Sequence, residues 1–283
     1  QGLSIVAVKS LHPPKNIIAE IMQHQATVLP AIPQLYRALA NSQLPQNLPL
    51  RVCCSGAAPL PLEVLKAFNE NVGIPLLEGY GLSETSPVAC FNPLHGEKKP
   101  GSVGLPIKGV EFQIWNDAGE VLPIGEQGEI CIKGHNVMMG YWNNPEATEA
   151  AIKGDWFLSG DIGYLDEDGY LYITDRKKDM LLVNGINVYP RELEEVIYQF
   201  DGIKEAAVIG VNDPRKGDLV VACVAPNEGA DIDDSMLLGF LKDKLAAYKL
   251  PRKVMQMEAL PRNATGKILK TKLREIAAKE YGR

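Results

Sequence analysis

Three short stretches combine small residues with side chains that can bind phosphate, a ribose or a metal ion. Ser83-Glu84-Thr85 supplies two hydroxyls and a carboxylate, and oxygen ligands of this kind are preferred by a Mg²⁺–phosphate unit. Asp161 follows an apolar run and a glycine, where its carboxylate could accept both hydroxyls of a ribose. Lys267 follows a Thr-Gly pair and could present a point charge to a carboxylate or phosphate.

Each of these motifs also has an ordinary structural interpretation. Ser83-Glu84-Thr85 would then be a plain turn after a strand, and Asp161 a turn residue that caps its own backbone. Lys267 would be a solvated lysine at the start of a helix. Taken singly, none of the three is specific for a function.

A charged stretch, Asp175 to Asp179, separates two halves of the chain that differ in pattern. Strand-rich segments punctuated by glycine precede it, and an alternation of helix and strand follows it. Such a run between two patterns predicts a linker that can bend. The alternative is a solvated surface loop leading into a hairpin that turns at Asn184-Gly185.

The first hundred residues alternate between predicted strands and helices, which predicts a parallel sheet covered by helices. In such sheets ligands bind beyond the carboxyl ends of the strands, where the loops at 55–58 and 79–85 lie. The predicted strands are 3–8, 26–29, 50–54 and 74–78, and the predicted helices are 15–24, 34–40 and 62–70.

The pattern of the remaining residues predicts two further structural regions. Short alternating strands divided by Gly-, Pro- and Asp-rich turns indicate a small antiparallel barrel or sandwich, and the segments after Lys178 indicate a compact α+β domain. The barrel strands are 110–115, 128–133 and 170–174. The last part has strands at 180–183, 205–212, 218–225 and 253–257, and helices at 190–200, 234–245 and 267–279.

Composition narrows the class of protein. A net charge of −6 over 283 residues argues against nucleic acid or an anionic membrane surface as the main partner. No apolar run approaches the roughly 20 residues needed to span a bilayer. Five cysteines without a Cys-x-x-Cys pair favour reduced thiols in the cytoplasm, and four widely separated histidines argue against a histidine metal cluster.

The order of the motifs is more specific than any one of them. In this order they resemble the adenylate-forming superfamily, and within it the fatty-acyl-CoA synthetases of the medium- to long-chain type. The resemblance covers essentially the whole chain. The segments that carry it are Tyr80 to Thr85, Gly128 to Ile130, Gly140 to Trp142, Ser159 to Asp161, Asp175 to Asp179, Gly185 to Pro190, and Thr265 to Lys267.

This resemblance implies a two-step reaction that uses ATP, Mg²⁺ and CoA. A carboxylate attacks the α-phosphate of ATP to give an acyl-adenylate and pyrophosphate, and the CoA thiol then displaces AMP. By motif, Glu84 resembles the Mg²⁺ ligand, Ser83 the hydroxyl on the α-phosphate, and Lys267 the lysine that stabilises the adenylation transition state. Asp161 resembles the ribose carboxylate, and Arg176 a ribose or phosphate contact.

The resemblance also implies a nucleotide pocket and a moving lid. Lys178 falls at the family's hinge, where the C-terminal domain rotates between the half-reactions, and Gly185 would line the CoA channel after that rotation. The walls of the adenine and acyl pocket would be Gly56, Ala57, Ala58, Glu78, Gly79, Tyr80 and Gly81.

The expected fold class is an α/β partial parallel sheet with helices, then a small antiparallel β-barrel-like subdomain, then a C-terminal α+β lid domain. The expected boundaries are 1–98, 99–174 and 175–283. The family's Ser/Thr/Gly-rich phosphate loop is absent, so we expect a C-terminal fragment that is inactive alone. Leu182 also departs from relatives that carry a lysine there, whereas Asn187 matches a polar position.

The expected partners are small molecules: a fatty acid, ATP and CoA. Peripheral membrane contact, oligomeric state and acyl chain length are left open by the sequence. Two rival functions also remain: an adenylation enzyme for an aryl or amino acid, and a non-catalytic module that kept the fold. The presence of Glu84, Asp161, Arg176 and Lys267 argues against the second rival.

Overall fold

The computed structural model describes residues 2–8, 14–213, 217–263 and 266–282. Thr265, part of the motif before Lys267, lies outside the described residues. The strand predicted at 3–8 is wrong: this segment has no regular secondary structure, and Leu3 and Ile5 are 82% and 91% exposed. Among the described residues no strand pairs with this segment, so its apolar side chains have no sheet to join.

The chain divides into two compact units, Gln1–Ser159 with Tyr164–Ile173, and Gly160–Gly163 with Thr174–Arg283. We refer to them as the N-terminal unit and the C-terminal unit. The three-part boundaries expected from the sequence stay a prediction. None of the described helices is both long enough and apolar enough to cross a membrane.

The first sheet of the N-terminal unit has five strands in the order β1-β2-β3-β4-β5. Strands β1 to β3 are parallel, and β4 and β5 continue the sheet antiparallel. A buried core with an edge-to-face Tyr36–Phe68 pair packs the helices on this sheet. The elements are α1 (Pro14–His24), β1 (Val28–Ala31), α2 (Pro33–Ala40), β2 (Val52–Ser55), α3 (Leu62–Val72), β3 (Leu76–Tyr80), β4 (Cys90–Phe91) and β5 (Leu105–Pro106).

A second sheet follows, in the order β10-β9-β7-β6 with β8 paired to β9. It is the curled antiparallel sheet that the sequence predicts, although β9 and α4 are not among the predicted elements. Ile130, Ile132, Phe157 and Leu171 bury its inner face. The elements are β6 (Val110–Trp115), β7 (Gly128–Gly134), α4 (Pro145–Ala151), β8 (Ile152–Lys153), β9 (Trp156–Leu165) and β10 (Leu171–Arg176).

The C-terminal unit is built on a sheet in the order β12-β11-β14-β13, with β15 paired parallel to β14. Alternate residues of β13 and β14 enter two different cores: Val208 and Ala222 pack on one face, Ile209 and Cys223 on the other. Because both faces are buried, these strands read as continuous apolar runs. The elements are β11 (Leu181–Val183), β12 (Ile186–Val188), α5 (Pro190–Ile197), β13 (Ile203–Asp213), β14 (Gly217–Pro226), α6 (Asp234–Lys242), β15 (Lys253–Gln256) and α7 (Lys270–Tyr281).

The predicted fold class is confirmed, with one correction that affects the site. The last helix begins at Lys270 and not at Lys267, because Lys267 belongs to the loop before it. The backbone N–H of Lys267 donates to Asn263 Oδ1 at 2.9 Å, and its carbonyl accepts from the Asn263 N–H at 3.0 Å. These bonds hold Lys267 outside the helical hydrogen-bond pattern.

Candidate active site

The first loop of the candidate site leaves the carboxyl end of β2 and contains Gly56, Ala57 and Ala58. Glu78, on the neighbouring strand β3, is 6% exposed and accepts a hydrogen bond from the Leu60 N–H at 3.1 Å. The carboxylate therefore ties this loop to β3. Glu78 is predicted as a pocket wall, and its described contact gives it the further role of fixing the loop.

Close packing explains Gly79, near the end of β3, and Gly81, in the loop that follows this strand. A Cβ on Gly81 would lie 1.9 Å from the carbonyl oxygen of Pro87, far inside van der Waals contact. Gly79 and Tyr80 pair antiparallel with β4, and a Cβ on Gly79 would overlap the ring of Phe91. The two glycines thus allow the loop to fold back tightly at the end of the sheet.

Ser83-Glu84-Thr85 forms a short 3₁₀ turn directly after this loop. Buried Thr85 accepts a hydrogen bond from the Leu82 N–H at 2.9 Å, which closes the turn, and the Ser83 side chain is exposed. Glu84 is half-buried, and its Oε1 accepts a hydrogen bond from the Tyr141 hydroxyl at 2.9 Å. The sequence marks Tyr141 as part of a motif but does not predict this contact.

In the C-terminal unit, Asp161 and Arg176 form an ion pair with Nε–Oδ1 at 3.2 Å. Asp161 lies on β9 and is 4% exposed, and Arg176 ends β10. The carbonyl of Gly160 accepts from the Lys177 N–H at 2.9 Å, which holds the two strand segments together beside the pair. An aspartate and an arginine separated by 15 positions in sequence are thus brought into contact.

Lys267 lies in the electrostatic field of the same pair. Burial lowers its pKa, and the positive charges of Arg176 and Lys178 lower it further, against the opposite effect of Asp161 and Asp179. The pKa of Lys267 thus responds to both charged members of the pair. We refer to Asp161, Arg176 and Lys267 together as the charge cluster.

A second ionic network supports the loop of Lys267, and the sequence gives no sign of it. Lys270, the first residue of α7, pairs with Glu194 on α5 at 2.7 Å. One turn later Arg274 pairs with Asp179 at 2.6 Å. Asp175 is buried and accepts hydrogen bonds from the backbone N–H groups of Arg176 and Arg191.

The pKa shifts in this network follow from burial and pairing. Burial alone would lower the pKa of Lys270, but the carboxylates of Glu194 and Asp175 outweigh burial, so the pKa is raised. Burial alone would raise the pKa of Asp179, but the hydrogen bond from Arg274 and the charge of Lys270 outweigh burial, so the pKa is lowered. Burial raises the pKa of Asp175. Lys270 is therefore held charged by its neighbours.

The remaining predicted residues lie on the surface of the C-terminal unit. Lys178 is exposed in the turn after β10, and Gly185 is exposed at the tip of the β11–β12 hairpin with φ +80°. A Cβ on Gly185 would meet open space, so only its backbone angle requires glycine. The described contacts do not join Gly185 to the charge cluster.

Two family profiles match this chain. The AMP-binding enzyme family matches residues 1–142, and the C-terminal domain of AMP-binding enzymes matches residues 192–267. The chain belongs to the AMP-binding enzyme family. Glu84 and Lys267 lie within the matched residues, and Asp161 and Arg176 lie between the two matched ranges.

Individual relatives agree with this assignment. The chain is 42% identical over 266 residues to a long-chain-fatty-acid–CoA ligase of Bacillus subtilis (strain 168), covering 93% of this chain and 48% of the relative. It is 37% identical over 273 residues to a feruloyl-CoA synthase of Amycolatopsis sp, covering 95% and 55%. ATP-bound MatB from Rhodopseudomonas palustris superposes with a TM-score of 0.89 at 38% identity, covering 95% and 54%. The chain thus spans about half the length of its relatives.

The residues present fit a Mg²⁺ ion held together with a nucleotide. Among the described residues no group of three or more His, Cys, Asp or Glu side chains could hold a metal by itself. Mg²⁺ in phosphate-transfer sites is commonly bound by one or two carboxylates, with substrate phosphates and waters as the other ligands. Glu84, with one oxygen fixed by Tyr141, is a single carboxylate of this type.

Proposed function

We propose that the protein of which this chain forms part is an ATP-dependent acyl-CoA synthetase. It would convert a fatty acid, ATP and CoA into acyl-CoA, AMP and diphosphate through an acyl-adenylate. The observation that carries the proposal is the ion pair of buried Asp161 with Arg176, and the charges of both residues act on the pKa of Lys267. The long-chain-fatty-acid–CoA ligase relatives support the acid proposed as substrate.

In the first half-reaction a carboxylate oxygen of the acid bonds to the α-phosphorus of ATP, and the bond from that phosphorus to the β-phosphate bridging oxygen breaks. Negative charge grows on the α-phosphate oxygens and on the leaving pyrophosphate. Asp161 would hold the ribose hydroxyls, Arg176 would contact the ribose or a phosphate, and Lys267 would stabilise the developing charge. The Ser83 hydroxyl would donate to the α-phosphate. Mg²⁺, held by Glu84, would neutralise phosphate charge.

The loops of the N-terminal unit would form the walls of the pocket. The small residues of these walls are Gly56, Ala57 and Ala58 in the first loop, and Gly79 and Gly81 at the end of β3. Such surfaces let a planar base and an acyl chain approach the backbone closely. Glu78 would act by holding the first loop, because its carboxylate already accepts the Leu60 N–H.

In the second half-reaction the thiol sulfur of CoA bonds to the acyl carbon, the acyl–phosphate bond breaks, and AMP leaves. The thiol proton is released as the thioester forms. We propose that Lys178 is the hinge at which the C-terminal domain turns between the two reactions, and that Gly185 lines the CoA channel afterwards. The exposure of both residues supports roles at a pivot and at a surface channel.

We further propose that this chain is not competent alone. The phosphate loop that the family resemblance leads us to expect is absent from it, and the relatives are about twice as long. Its five cysteines are free, which supports a reducing, cytoplasmic location.

An aryl acid is the second candidate substrate, because the feruloyl-CoA synthase relative is nearly as similar as the fatty-acid ligase. The experiment is a pyrophosphate-release assay with a panel of fatty and aryl acids. It compares this chain with the protein expressed from its complete gene. We expect fatty-acid-dependent release from the complete protein and none from the chain alone. Release with aryl acids only would select the second candidate, and no release with any acid would favour the non-catalytic module.

A further inference from the structure

Tyr141 contacts Glu84, the predicted metal-binding side chain of the N-terminal unit. Its hydroxyl donates to Glu84 Oε1 at 2.9 Å. A tyrosine hydroxyl carries its proton at neutral pH, so it is a hydrogen-bond donor to the carboxylate. A neutral donor facing a carboxylate fixes one oxygen without removing the negative charge.

The backbone around Tyr141 is built to hold this side chain. The Tyr141 N–H donates to the Thr148 hydroxyl at 2.9 Å, and that hydroxyl donates to the Asn144 carbonyl at 2.9 Å. Gly140 permits this approach, because a Cβ there would lie 2.7 Å from the Thr148 methyl group. Asn144 caps α4 by accepting from the Ala147 N–H at 3.1 Å.

The same segment also forms hydrogen bonds with the backbone of the Glu84 turn. The Met138 N–H donates to the Glu84 carbonyl at 2.8 Å. The Asn136 side-chain amide donates to the carbonyls of Thr85 and Val88, both at 2.8 Å. Residues 136–148 therefore hold both the backbone and the carboxylate of Glu84, and Tyr141 supplies the only described side-chain bond to that carboxylate.

We propose that Tyr141 is a positioning residue that orients the Glu84 carboxylate toward a divalent cation bound with the nucleotide. This inference rests on the proposed function. With the hydroxyl in place, one Glu84 oxygen is fixed and the carboxylate keeps a single orientation. Without it, the carboxylate rotates among several orientations, and ordering it is left to the metal and nucleotide.

The test uses Tyr141→Phe in the protein expressed from its complete gene, which removes one hydroxyl and keeps the ring. Calorimetry would measure ATP binding with Mg²⁺ and with EDTA. We expect the variant to bind Mg²⁺–ATP roughly tenfold more weakly, the scale of a lost hydrogen bond to a charged group. We expect its metal-free ATP binding to equal that of the parent. Equal weakening in both conditions would overturn the proposal, because it would indicate a general structural role.

A double-variant cycle tests whether Tyr141 acts through Glu84. Adding Tyr141→Phe to Glu84→Gln should weaken Mg²⁺–ATP binding no further than Glu84→Gln alone. Additive losses would overturn the proposal. Tyr172→Phe is the matched control, because its hydroxyl also faces a carboxylate, Asp166 at 3.4 Å, outside residues 136–148. It should leave binding unchanged.

Folding and function are kept separate by two further measurements. Thermal unfolding of Tyr141→Phe should match that of Tyr172→Phe, and a much lower midpoint would count against a positioning role. If Tyr141→Phe leaves Mg²⁺–ATP binding as in the parent while the parent forms acyl-CoA, the inference fails and the proposed function stands. If the parent binds no ATP in either condition, both fail together.

Discussion

The two units hold their candidate site residues in place by different kinds of interaction. In the N-terminal unit, glycines, backbone groups and one tyrosine–carboxylate bond shape the loops around Gly81 and Glu84. In the C-terminal unit, long charged side chains do this work: Asp161 pairs with Arg176, and Lys270 with Glu194. The first region depends mainly on close packing of backbone atoms, and the second depends on ion pairs.

The two regions should therefore respond to different kinds of substitution. Steric overlap is short-ranged and independent of salt and pH, so substitutions in the N-terminal loops should act through lost packing. Charge interactions reach further and respond to protonation and ionic strength, so substitutions in the C-terminal unit should act through pKa and screening.

The largest effect is expected for Lys270→Met. This change leaves Glu194 without its cation in a site where both side chains are less than 20% exposed. Removing one partner of a buried pair typically costs about 3–5 kcal/mol. Urea unfolding of the chain should show this loss as a lower midpoint.

Two controls sharpen the Lys270 result. Lys249→Met breaks the pair with Glu192, whose side chain is 40% exposed, and should cost much less. Lys270→Met combined with Glu194→Leu removes both charges and should recover much of the stability. A double variant as unstable as the single one would mean that the hydrogen bond from the Val208 N–H to Glu194, which the double variant also loses, outweighs the unpaired charge.

Lys267→Ala should give the next largest effect, which is a loss of adenylation activity and not of stability. Removing a group that stabilises transition-state charge typically lowers the rate about 10²–10³-fold. We expect this loss in pyrophosphate release by the protein from the complete gene, and a far smaller loss in thioester formation from a supplied acyl-adenylate. Lys272→Ala, a surface lysine with a 59% exposed side chain, is the control. Equal losses in both half-reactions would refute the role given to Lys267.

The sequence predicts the fold class and most elements because hydrophobic periodicity is local. The strand 110–115 and helices near 62–70 and 190–200 are recovered with small shifts at their ends. The prediction of a strand at 3–8 is wrong because it used only this local pattern. The apolar run of this segment looks like a strand, but pairing depends on a partner elsewhere in the chain, and none of the described strands provides one.

The candidate site shows the same limit. The motif residues Glu84, Asp161, Arg176 and Lys267 can be selected by type and order, although their roles stay predictions. The contacts that hold them cannot. Tyr141 lies 57 positions from Glu84, and Arg274 lies 95 positions from Asp179. No local pattern records pairings of that separation, so the supporting network emerges only from the tertiary structure.

Gly81→Ala tests the steric side of the contrast. The new methyl group would lie 1.9 Å from the Pro87 carbonyl oxygen, so the backbone must shift. Overpacking of this kind costs about 1–3 kcal/mol. Gly185→Ala is the comparison: the space around it is open, and only its φ of +80° opposes alanine, at roughly 1–2 kcal/mol.

Salt should not distinguish these two glycine variants. Both losses should be the same at low and high ionic strength, in contrast to the losses caused by removing charged side chains in the C-terminal unit. Thermal unfolding at two salt concentrations checks this. A strong salt dependence of the Gly81→Ala loss would show that charge also shapes the N-terminal loops.

The smallest effect is expected for Lys178→Met, and it concerns pH. Burial, Arg176 and Lys178 lower the pKa of Lys267, so removing the Lys178 charge should raise that pKa. Adenylation that needs charged Lys267 is fully present below this pKa and is lost as pH rises through it. The alkaline fall of pyrophosphate release should therefore move to higher pH in the variant. High salt should shrink the shift, because Lys178 is exposed and its field is screened. Lys177→Met, an exposed neighbour, should leave the profile in place, and an equal shift there would mean that net charge, and not the charge cluster, sets the pKa of Lys267.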